Sequence, residues 1–275
     1  AKTGKKIWEN RSLVVDYQNG AGGSLTLHQD RLLVPCDGMD AQYEVALSKD
    51  TGEIVWKVGR SAKAVLEALA PDRRKAYGTP CVFDLDGKKV SLTTAAQRLV
   101  ALDPETGEEQ WFVRYEPGFS NVPVPVSDGK KLIVCTGFMK PEVWAVRLGG
   151  AKGDVTDSHV LWKQKAGAPD QSSPVLWENR VYMVNSGGIA SCLNAETGEI
   201  VWKERIGSDF AASPILVGGR LYFCDAQGPT TVLALGDKFQ VLAKNSLDQG
   251  CMATPAVVGK SIVLRTKTDL YRIEE

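Results

Sequence analysis

Apolar residues in this chain fall in short runs of at most about six, separated by turn-forming residues. Residues 171–203 show the pattern most clearly. Ser173-Pro174-Val175-Leu176-Trp177 reads as a short strand, Glu178-Asn179 as a tight turn, and Arg180-Val-Tyr-Met-Val184 as the next strand. Asn185-Ser-Gly-Gly188 turns the chain into Ile189-Ala-Ser-Cys-Leu193, and Glu196-Thr-Gly198 turns it again into Glu199-Ile-Val-Trp202. Four short strands divided by such turns predict an antiparallel meander.

The first hairpin of this meander recurs along the chain. Its turns are predicted at His28-Gln-Asp30, Asp86-Gly87, Asp128-Gly129, Glu178-Asn179, Gly218-Gly219 and Gly259-Lys260. Asp-Gly and Gly-Gly supply the positive φ that two-residue hairpins require. A proline opens the first strand at Pro80, Pro125, Pro174, Pro214 and Pro255, and Leu25 holds the place in the first unit. Proline is tolerated there because the first strand residue loses little by lacking an N–H.

The closing strand recurs as well. Ala195-Glu-Thr-Gly-Glu-Ile-Val-Trp202 has near-copies ending at Trp8, Trp56 and Trp111, and degenerate forms ending at Trp162 and Ala243. Successive spacings of 48, 55, 51, 40 and 41 residues, rich in strand signals, predict a β-propeller of four-stranded antiparallel blades. The whole chain then forms one all-β domain, with blades at about 12–57, 75–112, 120–163, 171–203, 211–244 and 252–275 plus 1–8. Each tryptophan is expected to bury its ring against the next blade, on a strand oriented by the preceding Thr-Gly turn. The last unit stops after Leu270-Tyr-Arg-Ile273, whereas the first residues supply only a closing strand, Thr3 to Trp8. Pairing the two would complete a sixth blade and remove an open edge.

Two segments interrupt the repeats. Ser61 to Ala70, closed by Pro71, has helical composition and a serine placed to cap it. Gly149-Gly-Ala-Lys-Gly-Asp-Val-Thr-Asp157 reads as a polar loop within the third blade.

Composition narrows the partners. Lys and Arg number 33 against 33 Asp and Glu, with no basic stripe, which argues against nucleic acid and anionic lipid surfaces. No apolar run approaches the roughly 20 residues of a membrane-spanning helix. A chain that starts inside a repeat without Met is expected to be a trimmed piece of a longer product, with any export signal upstream. The six cysteines, at 36, 81, 135, 192, 224 and 251, are expected to be buried free thiols on strands too far apart for disulfides.

The Thr-Gly-x-x-x-Trp units resemble the pyrroloquinoline-quinone (PQQ)-type propeller repeat, Ala-x-Asp-x-x-Thr-Gly-x-x-x-Trp, along the whole chain. Asn121-Val-Pro-Val-Pro-Val126, Cys135-Thr-Gly-Phe138, Asp154-Val-Thr-Asp157 and Arg265-Thr-Lys-Thr-Asp-Leu-Tyr-Arg-Ile273 make it similar, more narrowly, to bacterial PQQ-binding-like β-propeller repeat proteins. The resemblance implies one of two activities. Quinoprotein alcohol dehydrogenases are periplasmic enzymes that hold the quinone with a disulfide between adjacent cysteines, a tryptophan floor, a Ca²⁺ site and a catalytic aspartate. Scaffolds similar to the lipoprotein B subunit of the outer-membrane barrel-assembly machine are non-catalytic. No two cysteines here are adjacent, and no motif places the Ca²⁺ ligands or the aspartate, so neither quinone nor metal is assigned to named residues.

Other chemistry finds little support. His28 and His159 lack metal-ligand spacing, and Asp154 and Asp157 lack the alternating oxygens of a Ca²⁺ loop. Gly20-Ala-Gly-Gly23 continues as strand, not as the helix a phosphate cradle needs. Ser172, Ser173 and Ser213 have no histidine in a pairing context. What remains is the mouth of the central channel. Residues preceding each opening proline are expected to ring it, and Tyr77, Asn121, Gln171, Asp209, Phe210 and Gln249 are the candidates for a ligand or partner site, with Tyr77 or Phe210 as an exposed anchor. The expected protein is a monomeric, extracytoplasmic, non-catalytic scaffold that binds a protein, peptide or small ligand. The alternative is part of a PQQ-dependent oxidoreductase.

Overall fold

The structure, a computed structural model, describes residues 3–61, 63–85, 87–247 and 249–274. Ala1, Lys2, Ala62 and Asp86, which belong to the expected closing strand, insertion helix and second hairpin turn, lie outside the described residues.

Strands dominate, and among the described residues they group into six sheets, each built on an antiparallel meander. The first sheet is β1 (Thr26–His28), β2 (Arg31–Asp37), β3 (Gln42–Ser48) and β4 (Ile54–Gly59), hydrogen-bonded in that order. The second is β5 (Cys81–Leu85), β6 (Lys88–Ala95), β7 (Arg98–Leu102) and β8 (Glu109–Arg114). The third holds β9 (Val126–Ser127), β10 (Lys131–Cys135), β11 (Val143–Arg147) and β13 (Val160–Gln164). The fourth comprises β14 (Val175–Trp177), β15 (Arg180–Val184), β16 (Ile189–Asn194) and β17 (Ile200–Arg205). The fifth comprises β18 (Ile215–Val217), β19 (Arg220–Cys224), β20 (Pro229–Ala234) and β21 (Val241–Ser246). The last has three strands, β22 (Ala256–Val258), β23 (Ser261–Arg265) and β24 (Leu270–Glu274).

Every opening proline stands immediately before its strand: β5, β9, β14, β18 and β22 begin one residue after Pro80, Pro125, Pro174, Pro214 and Pro255, and β1 follows Leu25. The hairpin turns likewise separate the first and second strands of each sheet.

Backbone contacts divide the chain into two compact units, Ala1–Val124 with Arg147–His159, and Pro125–Val146 with Val160–Glu275. Each core is a set of layers between neighbouring sheets. In the first unit, Ala95, Val100 and Leu102 of the second sheet pack against Trp56 and Val58 of the first. In the second, Ile133, Val143 and Trp162 meet Val181, Met183 and Leu193, while Tyr182, Cys192 and Trp202 meet Leu221, Phe223 and Leu233.

Trp8, Trp56 and Trp162 lie on the Thr-Gly turns of the following repeat, and Trp202 lies on the matching turn at Gly236. The indole Nε1–H of Trp56 donates to Pro104 O at 3.1 Å, that of Trp162 to Ala195 O at 3.0 Å, and that of Trp202 to Gly236 O at 3.1 Å. Trp8 does the same at the first turn, donating to Lys49 O at 2.8 Å. A Cβ on Gly52, Gly107 or Gly198 would stand 2.3, 2.7 or 2.6 Å from the ring above it. The glycine of the motif is thus the seat of the preceding tryptophan.

Three expectations are corrected. Described residues 3–8 form no strand, and the last sheet keeps three strands among the described residues. The N-terminal segment instead commits its polar groups to the first sheet, where Asn10 Nδ2 also donates to Gly52 O at 2.7 Å. The helix expected over 61–70 shrinks to α1 (Lys63–Glu67), followed by a 3₁₀ turn at Pro71–Arg73. Leu66 is its one buried side chain, Ser61 Oγ donates to Glu109 at 2.7 Å, and Arg74 takes the carbonyls of Glu67 and Leu69 at the other end. Finally, the polar loop 149–157 is partly ordered. β12 (Gly153–Asp154) runs parallel to β8 as a fifth strand of the second sheet, and α2 (Thr156–His159) follows. Arg114 anchors it: its N–H donates to Thr156 Oγ1 at 2.9 Å and its guanidinium pairs with Asp154 at 2.9 Å.

Candidate functional site

The segments that precede the innermost strands carry the expected binding residues, and the local hydrogen bonding explains their shape. In the first unit Ser24 N–H donates to Thr79 Oγ1 at 3.0 Å. In the second, Ser173 N–H donates to Ser213 Oγ at 2.9 Å, and Ser213 N–H to Thr254 Oγ1 at 3.0 Å. A hydroxyl just before Pro80, Pro214 and Pro255 therefore ties the segment entering one sheet to the segment entering the next. Ser172 Oγ likewise donates to Val184 O at 2.5 Å. These serines and threonines serve as backbone partners.

In the first unit, Tyr77 is half-buried. Its N–H donates to Asn121 O at 2.8 Å, its hydroxyl to Tyr17 O at 3.0 Å, and its ring lies over Gly22, 6.3 Å from the Tyr17 ring. Asn121 is fully buried, and its Nδ2 donates to Tyr115 Oη at 2.9 Å. Tyr77 and Asn121 are thus brought together, with Asn121 beneath the surface. The α1 insertion sits beside the same segment, since Leu66 packs on Ala96 and Phe119.

In the second unit, Gln171, Asp209 and Gln249 are exposed. Asp209 accepts Gln227 Nε2 at 3.3 Å, and its carbonyl accepts Ala226 N–H at 2.8 Å. Phe210 departs from its expected role. It is 1% exposed, packed in the layer between the fourth and fifth sheets, so it cannot serve as a surface anchor. Asp225, buried below this loop, accepts Ser208 N–H at 2.9 Å and Gln227 N–H at 2.8 Å and holds the loop in place.

One buried charge cluster escaped the sequence reading. Arg60, at the end of the segment leaving β4, donates through Nε and Nη2 to Asp37 at 2.9 and 2.7 Å, and through Nη1 to Glu44 at 3.0 Å. All three side chains are essentially excluded from solvent. Burial raises Glu44 above the usual carboxylate range, against the pull of Arg60 and the Thr93 hydroxyl. Burial alone would lower the Arg60 guanidinium, and its two carboxylate partners more than reverse this. A cleft of about 390 Å³ above the cluster is lined by Gln42, Lys57, Arg60, Lys63, Glu67 and Arg74. No spacing rule joins positions 37, 44 and 60, so only the fold reveals the group.

His159 also acquires a partner that spacing did not suggest: Ser158 Oγ lies 2.8 Å from its Nδ1. The opposite ring nitrogen is buried without a hydrogen-bond partner among the described residues, so no carboxylate orients the ring as in a nucleophilic triad.

A family model described as outer membrane protein assembly factor BamB matches residues 1–175 and 151–248. The chain is 30% identical to a quinoprotein ethanol dehydrogenase of Pseudomonas aeruginosa over 196 residues, which are 68% of this chain and 29% of that protein. A quinoprotein ethanol dehydrogenase of Pseudomonas putida is 29% identical over 199 residues, again 29% of its length. The chain therefore spans under a third of these relatives. The crystal structure of BamB from Moraxella catarrhalis superimposes with a TM-score of 0.50 at 11% identity, covering 89% of this chain and 82% of that one, a likeness of fold.

Proposed function

We propose that this chain, which belongs to the PQQ-type β-propeller repeat family described as outer membrane protein assembly factor BamB, is a non-catalytic scaffold that binds a protein or peptide. One observation carries the reading. Four of the repeat's tryptophans, Trp8, Trp56, Trp162 and Trp202, are committed to turns of the following repeat, which favours the loops as the recognition surface. Exposed Gln171, Asp209 and Gln249 and half-buried Tyr77 are the binding residues proposed, with Asn121 and Phe210 supporting them from below. The protein acts as a monomer outside the cytoplasm. Among the described residues no helix is long and apolar enough to cross a membrane.

The kinship with quinoprotein ethanol dehydrogenases favours a second reading, part of a PQQ-dependent oxidoreductase. The residues present do not fit that cofactor. No two of the cysteines are adjacent, and the Trp8, Trp56 and Trp162 rings are seated on glycines.

The test is affinity capture from a bacterial envelope extract, comparing wild type with Gln171→Ala/Asp209→Ala/Gln249→Ala. A protein retained by wild type and lost with the folded variant supports the scaffold. Undiminished retention, or alcohol-dependent dye reduction with added quinone and Ca²⁺, contradicts it.

A further inference from the structure

Cys224 and Cys251 were expected to be out of reach of each other, and they are not. Cys224 ends β19, and Cys251 lies on the segment that enters the last sheet. The two share one buried cluster with Ala212 and Leu264. Their backbones touch: Cys251 N–H donates to Asp225 O at 3.3 Å, and a Cβ on Gly250 would stand 1.6 Å from Ala226 O. Each of the two side chains has its own hydrogen-bond partner. Thr230 Oγ1–H donates to the Cys224 sulfur at 3.5 Å, and the Cys251 thiol donates to Ala253 O at 2.9 Å. Among the described residues all six cysteines are free thiols in this structure.

We propose that Cys224 and Cys251 are a disulfide-forming pair that staples the three-stranded last sheet to the fifth. The oxidant is a small-molecule disulfide such as oxidised glutathione. One cysteine thiolate attacks it, releasing a thiol and leaving a mixed disulfide. The second thiolate displaces the remaining glutathione, so two protons and two electrons leave the pair and one disulfide becomes two thiols. Burial pushes Cys224 up to about 11 and raises Cys251 as well, so reaction requires local opening. The location gives the bond a purpose. An apolar cleft of about 630 Å³ separates the two sheets, lined by Ile215, Tyr222, Cys224, Ile262, Leu264 and Ile273. The last sheet, three-stranded among the described residues, also exposes Val258 (62%) and Leu270 (72%).

The full chain would be reduced, then incubated with oxidised glutathione both folded and during refolding from urea, and its peptides mapped without reductant. The expected result is a fall from six free thiols to four, with Cys224 linked to Cys251 in at least one arm. Hydrogen exchange over residues 256–274 should slow by at least about tenfold relative to Cys224→Ala/Cys251→Ala. Six free thiols in both arms, a different linked pair, glutathione adducts alone, or unchanged exchange would overturn the proposal.

Discussion

The Trp162 indole lies face-on over Gly198, with its Nε1–H donating to Ala195 O at 3.0 Å and its Cδ2 2.6 Å from where a Cβ would be. Gly198 has φ +74°, so an added methyl meets both backbone strain and a ring that is held in place. Gly198→Ala should cost about 2–4 kcal/mol in urea unfolding, the sum of left-handed strain and overpacking. Gly218→Ala, at φ +56° with nothing within 4 Å of its Cβ, should cost only about 1–2 kcal/mol. Equal costs would show that the seat does not matter.

The Asp37–Glu44–Arg60 cluster holds two carboxylates and one guanidinium, one negative charge in excess. Glu44 is the group whose proton removes it, since Asp37 takes two of Arg60's three hydrogen bonds. A carboxyl raised in the folded state binds its proton more tightly there than in the unfolded chain. Its contribution is present below the unfolded value and lost as pH rises through the folded one. Stability should therefore decline across that window in wild type and decline less in Glu44→Gln. Asp37→Asn should cost about 3–5 kcal/mol, because it breaks a buried pair. Urea titrations from below the ordinary carboxylate range upward read both effects.

β12 is held to β8 by few groups, so it should be separable from the rest of the fold. Thr156→Val removes the acceptor for Arg114 N–H and should cost about 0.5–1.5 kcal/mol. The expected signature is faster hydrogen exchange at Phe112 to Arg114 and faster proteolysis within 149–157, with the other sheets unchanged. A global loss of protection would contradict a local role.

The loop residues offer the opposite signature. Gln171→Ala, Asp209→Ala and Gln249→Ala each change an exposed side chain and should shift stability by no more than about 0.5 kcal/mol. Phe210→Ala should cost about 3–5 kcal/mol, since it empties a packed inter-sheet layer. Thermal and urea unfolding of the four variants separate surface from core.

The strand pattern was legible because it rests on local chemistry. Five prolines mark strand starts to the residue, and turn formers mark the hairpins. The Thr-Gly…Trp motif announced the repeat, but spacing alone hides that each glycine answers the tryptophan of the repeat before it. What was missed depends on contacts distant in sequence. Thr3 to Trp8 matches a closing strand in composition, yet Trp8 and Asn10 hold to the Gly52 turn. Phe210 follows exposed Ser208 and Asp209, and only the neighbouring sheets turn its ring inward. Cys224 and Cys251 look unrelated until the backbones of two adjacent sheets bring them into contact.

The claim that the repeat is structural and the protein a binder is tested most directly by titrating PQQ and Ca²⁺ into the full chain. Tryptophan fluorescence and alcohol-dependent dye reduction would be followed together. With the Trp8, Trp56 and Trp162 indoles seated on Gly52, Gly107 and Gly198, the chain should show no saturable quenching and no turnover above a heat-killed control. Saturable one-site quenching accompanied by alcohol-dependent dye reduction would contradict it.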